Sequence, residues 1–323
     1  MVRDVPVRSE VLGAVAQATE PAIKQIFVTG FGEGDEAERR LFRLRKHIER
    51  RVECMEVTGL SDFYVVSLST RTLIYKGMLS SVQLGDYFLD LRQPYFTSGL
   101  ALVHSRFSTN TFPAWALAQP FRLLAHNGEI NTIRGNRGWL TARESVLSSP
   151  ALGDARDFTP IVQPGMSDSA SLDNALEFLV RSGLSLPHAM AMLVPESFDA
   201  KNPISDALKA FYEYHSILVE PWDGPAALLF SDGRYAGGML DRNGLRPARY
   251  FVTDDGLVVL ASEAGVIDVD PVHVCEKGRL QPGKLFMVDT QEGRIYRDDE
   301  LKRQLAEAYP YRAWLEGNRL ELD

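Results

Sequence analysis

Cysteine is nearly absent from this chain. Cys54 and Cys275 are the only two in 323 residues, and no CxxC pair occurs. A disulfide framework, a zinc site and an iron–sulfur cluster held by this chain alone are therefore not expected, and no metal site is predicted. Neither cysteine has an activating neighbour in the sequence. We interpret both as inert packing thiols.

Basic residues and long apolar runs are also scarce. Lys and Arg number 35 against 43 Asp and Glu, which gives a net charge of -8. The basic surface that a nucleic acid requires is therefore missing. No apolar run approaches the roughly 20 residues of a membrane span. The opening MVRDVPVRSE lacks the apolar core of a signal peptide, so the chain is predicted to be cytoplasmic, without nucleic-acid or membrane partners.

The apolar periodicity predicts the α+β class. Apolar residues recur at helical spacing after Asp35 and again from 167 to Gly183. In the last third, short β-rich runs flank turn signals at 232–233 and 254–256, which predicts hairpins. Because hairpins dominate there, the sheets should be antiparallel. No internal repeat or linker is evident, so residues 1–323 are predicted to form one domain.

Further elements are predicted nearer the N terminus. A helix is expected at Asn131–Leu147, and the β-rich runs that predict strands are Phe63–Leu68, Thr72–Tyr75, Ala101–Phe107 and Phe121–Ala125.

The first candidate motif surrounds Arg106. This arginine ends a strand-like run and precedes hydroxyl residues in a loop, Thr109 among them. A guanidinium pairs with both oxygens of a carboxylate, and hydroxyls add donors. The alternative is an arginine tied to a structural aspartate. His104 is either a ligand or a satisfied, half-buried histidine.

The second candidate motif is the Asn127-Gly128 pair. An Asn side chain and a Gly backbone N–H that converge on one point form an oxyanion hole. Asn-Gly is more often a turn dipeptide. However, this pair follows an apolar run and precedes a predicted helix start, where backbone N–H groups are unpaired.

The third and fourth motifs have structural alternatives as well. Asp168, at the start of the second helix, either caps that helix or binds a ligand ammonium. The loop Asp241–Pro247 carries Arg242 and Arg246 between two predicted strands. It either binds an anion or is an ordinary loop with its own salt bridges.

Taken together, these motifs resemble those of a known enzyme family. A clamp for a carboxylate, a carboxylate for an ammonium and an oxyanion hole for an amide suit one small molecule, L-glutamine. The stretches HSRFSTNTFP, LLAHNGEINTIRGN, PGMSDSASLDNALE and DRNGLRPARY closely resemble the glutaminase domain of glutamate synthase large subunits. That domain is a class II glutamine amidotransferase. The similarity extends over essentially the whole chain.

The resemblance implies a fold and a set of roles. The fold is the N-terminal-nucleophile hydrolase-like αββα sandwich with antiparallel sheets. Arg106 would hold the glutamine α-carboxylate with help from Thr109, and Asp168 would hold the α-ammonium. His104 is a further candidate substrate-binding residue. Asn127 and Gly128 would form the oxyanion hole. The reaction would be glutamine hydrolysis to glutamate and ammonia, with the ammonia channelled to 2-oxoglutarate in the complete enzyme.

One feature departs from the family. Its domains begin with a cysteine whose thiolate attacks the amide and whose α-amino group is the base, whereas this chain begins Met1-Val2-Arg3. We therefore expect the fold to be incomplete at its N terminus and the isolated chain to be inactive. Three interpretations stay open: a truncated glutamate synthase, one half of a split amidotransferase, and a non-catalytic glutamine-binding or assembly module.

The resemblance also implies components beyond this chain. No cofactor is expected here, and FMN and an iron–sulfur cluster are implied only for the complete enzyme. The implied partners are the remaining synthase domains and an electron-donating subunit or ferredoxin. The sequence leaves the electron donor (NADPH, NADH or ferredoxin) and the oligomeric state undetermined.

Overall fold

The computed structural model describes residues 1–55, 62–107, 111–154 and 157–320. They divide into two compact units. The first unit is Met1–Ala125 with Glu144–Gly183, and the second is His126–Arg143 with Leu184–Asp323. Compact units of this kind are not necessarily separate domains, so the single domain at 1–323 stays a prediction.

Helices and strands mostly occur in separate runs along the described residues, with helices between residues 133 and 218 followed by strands between residues 226 and 297. The α-helices are α1 Ala14–Ala18, α2 Gly34–Glu53, α3 Leu84–Tyr87, α4 Ile133–Arg143, α5 Asp168–Arg181, α6 Leu186–Leu193, α7 Asp206–Leu218, α8 Asp298–Glu307 and α9 Tyr311–Asn318. The strands are β1 Val2–Asp4, β2 Lys24–Ile26, β3 Leu124–Gly128, β4 Ala226–Ser231, β5 Tyr235–Leu240, β6 Arg249–Thr253, β7 Val258–Ala261, β8 Val274–Arg279, β9 Leu285–Asp289 and β10 Arg294–Arg297.

The first unit is organised around α2 and α5. In α2, acidic Asp35 and Glu36 occupy the first turn and basic Arg50 and Arg51 the last, which suits the helix dipole. Both helices confirm the periodicity of the sequence. Helix α5 is buried along nearly its whole length. A smaller apolar cluster around Tyr87 and Phe88 packs near β1 and β2, which pair antiparallel.

The second unit contains the larger sheets. Its main sheet has the order β10-β9-β5-β4-β3, and a second sheet has the order β7-β6-β8. Pairs β4·β5, β5·β9, β9·β10, β6·β7 and β6·β8 are antiparallel. The predicted hairpins at 232–233 and 254–256 are confirmed, as is the α+β class with antiparallel sheets.

Several predicted elements differ in the structure. The segments Phe63–Leu68, Thr72–Tyr75 and Ala101–Phe107 are not strands. Their composition favours extended backbone, but a strand also needs a hydrogen-bonded neighbour, and the described residues supply none. The strand predicted at Phe121–Ala125 begins later, at Leu124, because Phe121 N–H bonds to the Leu124 carbonyl oxygen (2.8 Å) and closes a bend. Helix α4 is shorter than the predicted Asn131–Leu147.

Within the ranges that the structure describes, no helix is long and apolar enough to traverse a bilayer.

Candidate active site

Helix α5 places Asp168 at its first residue. The N-cap is Ser167, whose Oγ accepts the Ala170 N–H at 3.1 Å. Capping is therefore done by the serine, and the carboxylate of Asp168 is not the cap. Asp168 is 1% exposed and accepts a hydrogen bond from Ser169 Oγ at 3.3 Å. Asp168 lies in the first turn of α5, where the helix dipole interacts favourably with a negative charge.

Asn127 and Gly128 end strand β3. Both are half-buried and follow the buried His126. Gly128 has φ +153°, and a Cβ there would overlap the carbonyl oxygen of Pro225. Because the pair lies within a strand, it is not a hairpin turn. The next residues leave the strand, and α4 begins at Ile133, which is the strand-to-helix arrangement expected from the sequence.

Arg106 has an exposed side chain. Within the parts of the chain that the structure describes, its guanidinium forms no ion pair, so the structural-aspartate alternative has no support there. The backbone N–H of Arg106 donates to Nδ1 of His104 at 3.1 Å. Half-buried His104 thus has a local role in holding this segment. Thr109 lies outside the described residues.

The Asp241–Pro247 loop is held by its own polar contacts. Buried Asp241 accepts the N–H groups of Ala226 (3.0 Å), Asn243 (3.0 Å) and Leu245 (3.2 Å). Arg242 pairs with Asp223 at 2.5 Å. Of the two alternatives left open by the sequence, the salt-bridged loop agrees with these contacts.

The two cysteines are not packing thiols. Cys54 follows α2 and Cys275 lies in β8, and both are exposed. The prediction that they pack in the interior is wrong, because each occurs at an element surface rather than on an apolar face. Among the described residues, no cluster of three or more His, Cys, Asp or Glu side chains could hold a metal ion.

The sequence did not predict a buried charged cluster between α2 and α5. Glu177 accepts from Arg45 Nη2 at 2.5 Å, and Arg45 also pairs with Glu49 at 2.9 Å. Burial lowers the pKa of the neighbouring Lys46 to about 8. Burial raises the pKa of Asp173 to about 6, with the Glu177 charge adding to the effect. The detectable signal was a pair of carboxylates, four residues apart, inside the apolar stripe of α5.

Comparison with known proteins identifies the family. Residues 1–314 match the family model described as glutamine amidotransferases class-II. The chain belongs to this family. The resemblance predicted from the motifs is therefore confirmed, and with it the N-terminal-nucleophile hydrolase-like fold class.

Relatives of this class II amidotransferase chain are large. The "Glutamate synthase [NADPH] large chain" of Bacillus subtilis is 46% identical over 99% of this chain and 21% of its own length. The "Ferredoxin-dependent glutamate synthase 2" of Synechocystis is 49% identical over 98% of this chain and 20% of its own. The chain thus spans about a fifth of the length of these relatives. Among solved structures, the glutamine phosphoribosylpyrophosphate amidotransferase from B. subtilis matches 54% of this chain and 28% of that chain, with 20% identity and a TM-score of 0.31.

Proposed function

We propose that this chain is the glutaminase part of a glutamate synthase, which hydrolyses the side-chain amide of L-glutamine and delivers the ammonia to 2-oxoglutarate. Similarity to glutamate synthases over nearly the whole chain supports this proposal. The observation that carries it is the end of β3. That strand ends in an Asn and a Gly whose φ suits few other residues, and these are the two residues that we propose as the oxyanion hole.

The proposed roles follow from the chemistry of the substrate. Arg106 pairs with the α-carboxylate, assisted by Thr109 and His104, and Asp168 holds the α-ammonium. These contacts orient the side-chain amide. When a nucleophile attacks the amide carbon, negative charge develops on its oxygen, and the Asn127 side chain and the Gly128 N–H donate to that oxygen. Donors fixed in advance stabilise the transition state without reorganising.

The nucleophile is the part of the mechanism that the described site residues do not supply. Neither Cys54 nor Cys275 matches the family's nucleophilic cysteine. We therefore expect the 323-residue chain by itself to be inactive, since loss of a nucleophile removes the covalent step. Two alternatives agree with this expectation. In the first, the chain binds glutamine or assists assembly without catalysing hydrolysis. In the second, it is one half of a split amidotransferase, and another chain supplies the cysteine.

The redox half of a glutamate synthase is not assigned to these residues. An iron–sulfur cluster needs about four cysteine ligands, and the chain has two, which lie in different units. The donor set therefore does not fit a cluster, and no step is derived through one. FMN, the cluster, the remaining synthase domains and an electron-donating subunit or ferredoxin are proposed to lie outside this chain.

Substitution of Asn127 tests the proposal. In the complete enzyme, Asn127→Ala is expected to lower kcat for glutamine hydrolysis by about 10²–10³, because one oxyanion donor is lost. Asn318→Ala, at the end of α9, is the matched control and should retain wild-type kcat. A change confined to KM would contradict the oxyanion role, because it would indicate ground-state binding.

A further inference from the structure

Asp173, in the middle of α5, binds the segment that leads into β3. Its Oδ1 accepts the N–H of Leu123 at 2.8 Å, and its Oδ2 accepts the N–H of Arg122 at 3.2 Å. The side chain is buried, with 1% of the residue exposed. One carboxylate therefore holds two consecutive backbone N–H groups in a place that water does not reach.

The segment needs this partner because of its bend. Phe121 N–H bonds to the Leu124 carbonyl oxygen at 2.8 Å, so Arg122 and Leu123 form the bend itself. As far as the structure describes the chain, neither of their N–H groups donates to a backbone carbonyl. A buried N–H without an acceptor destabilises the folded state. The Asp173 carboxylate takes the place of the missing strand partner.

Both ends of this contact are held firmly. On α5, Glu177 follows Asp173 by one turn and binds Arg45 of α2 at 2.5 Å. On the bend, the Arg122 side chain donates to the Val65 carbonyl oxygen at 2.6 Å. Asp173 is therefore fixed on its helix, and the bend is fixed on the opposite side.

Strand β3 connects the bend directly to Asn127. Leu124, Ala125 and His126 are each no more than 2% exposed, so their surroundings leave little room for a change in path. At the far end, Gly128 lies so close to the Pro225 carbonyl oxygen that not even a methyl group fits. From Leu124 to Asn127 an extended strand advances about 10 Å, and a shift at its start changes where the amide of Asn127 points.

We propose that Asp173 is a positioning residue for the oxyanion hole, because it fixes the start of the strand whose end carries Asn127 and Gly128. This inference rests on the proposed function. Asp173 does not touch the substrate in this proposal. It acts through the backbone of Arg122 and Leu123, and it belongs to the same helix as Asp168.

The test uses Asp173→Asn in the complete enzyme, assayed well below its melting temperature. Asn has a similar shape but presents an NH₂ group to one of the two N–H groups. We expect kcat for glutamine hydrolysis to fall about 10- to 100-fold, the scale associated with a displacement near 1 Å, while KM changes less than about threefold. The control is Asp289→Asn, the same substitution at a buried carboxylate at the end of β9, which also accepts two backbone N–H groups, those of Gln291 (2.9 Å) and Glu292 (3.1 Å), and does not bind the bend. It should lower the melting temperature but retain kcat.

The outcomes separate the inference from the proposed function. If the wild type hydrolyses glutamine and Asn127→Ala lowers kcat, but Asp173→Asn retains wild-type kcat, the positioning role is wrong. If Asp289→Asn lowers kcat as much as Asp173→Asn, the effect is one of general stability and the inference also fails. If Asp173→Asn does not fold, Asp173→Glu keeps both acceptors but displaces them. An unchanged kcat in that variant overturns the inference, and a reduced kcat with unchanged KM supports it.

Discussion

Arg106 is the residue on which recognition of the α-carboxylate depends in the proposed site. Its guanidinium is exposed and, in the described residues, without an ion pair, which suits a side chain that pairs with a ligand. A hydrogen bond to a charged group contributes about 1.5–3 kcal/mol. In the complete enzyme, Arg106→Lys should therefore raise KM for glutamine about 10- to 100-fold, because an ammonium cannot form the bidentate pair. Steady-state kinetics check this.

Arg242→Lys is the matched control for that substitution. Arg242 is an exposed arginine that pairs with Asp223 in the 241–247 loop. We expect unchanged glutamine kinetics for this variant. Glutamine kinetics that are unchanged in Arg106→Lys as well would remove Arg106 from the site.

Gly128 is the residue with the least freedom to vary. Its φ of +153° and the nearby Pro225 carbonyl oxygen both disfavour a side chain. Gly128→Ala should lower the free energy of unfolding by about 2–4 kcal/mol, from backbone strain and overlap together. Gly138→Ala, in α4 with no atom within 4 Å of the added Cβ, should raise it by about 0.5–1 kcal/mol. Denaturant unfolding measures both, and equal stability of the two variants would contradict the close approach.

At the scale of elements, α6 and α7 contact each other through two buried histidines. Nε2 of His188 lies 2.8 Å from Nε2 of His215, and Nδ1 of His215 lies 2.7 Å from the Phe211 carbonyl oxygen. The carbonyl can only accept, so Nδ1 of His215 carries a proton. In the neutral pair, Nε2 of His188 then donates to Nε2 of His215. A second proton would place two positive charges in contact.

This pair predicts a pH-dependent stability. Burial, and then the neighbouring His215, lower the pKa of His188 from 6.5 to about 4. Between these values the unfolded chain binds more protons than the folded chain, so stability rises with pH across the window and is lost as pH falls toward 4. The full effect corresponds to about 3 kcal/mol. His188→Gln keeps a donor that does not titrate, so its melting temperature should fall less between pH 6.5 and 4.

The exposed His47 on α2 provides the control for this pH experiment. His47→Gln removes a histidine whose side chain is 53% exposed and whose one ion pair, with Asp157 at 3.4 Å, lies at the surface, where such pairs contribute little to stability, so this variant should keep close to the wild-type dependence of melting temperature on pH. If His188→Gln also keeps the wild-type dependence, the buried pair does not account for acid destabilisation.

At the scale of the whole molecule, the question is what the 323-residue chain does by itself. Calorimetry on the isolated chain should show binding of L-glutamine, while an assay for glutamate should detect no product if, as proposed, neither Cys54 nor Cys275 is the nucleophile. The Arg106→Lys chain should bind more weakly under the same conditions. Glutamate production by the isolated chain would overturn the expected inactivity, and a lack of binding would show that this chain alone does not form the glutamine site.

The sequence by itself determined the elements whose signals are local. The dipole-matched ends and apolar stripe of α2, the hairpin turns at 232–233 and 254–256, and the motifs that identify the family all lie within short stretches. Their periodicity and turn chemistry could therefore be read directly. The same local signals predicted that Asn127-Gly128 lies between a strand and a helix, whereas in the structure the pair forms the last two residues of β3 and α4 begins at Ile133.

Only the tertiary structure decided features that join distant parts of the chain. In the structure, Ser167 and not the adjacent Asp168 caps α5. Both cysteines are exposed. The segments Phe63–Leu68 and Thr72–Tyr75 are not part of any strand. The tertiary structure also joins Asp173 to the bend at 122–123, about fifty residues away in sequence. Strand pairing and buried hydrogen bonds each need a partner, and the identity of that partner is fixed by the packing of the whole unit and not by the residues adjacent in sequence.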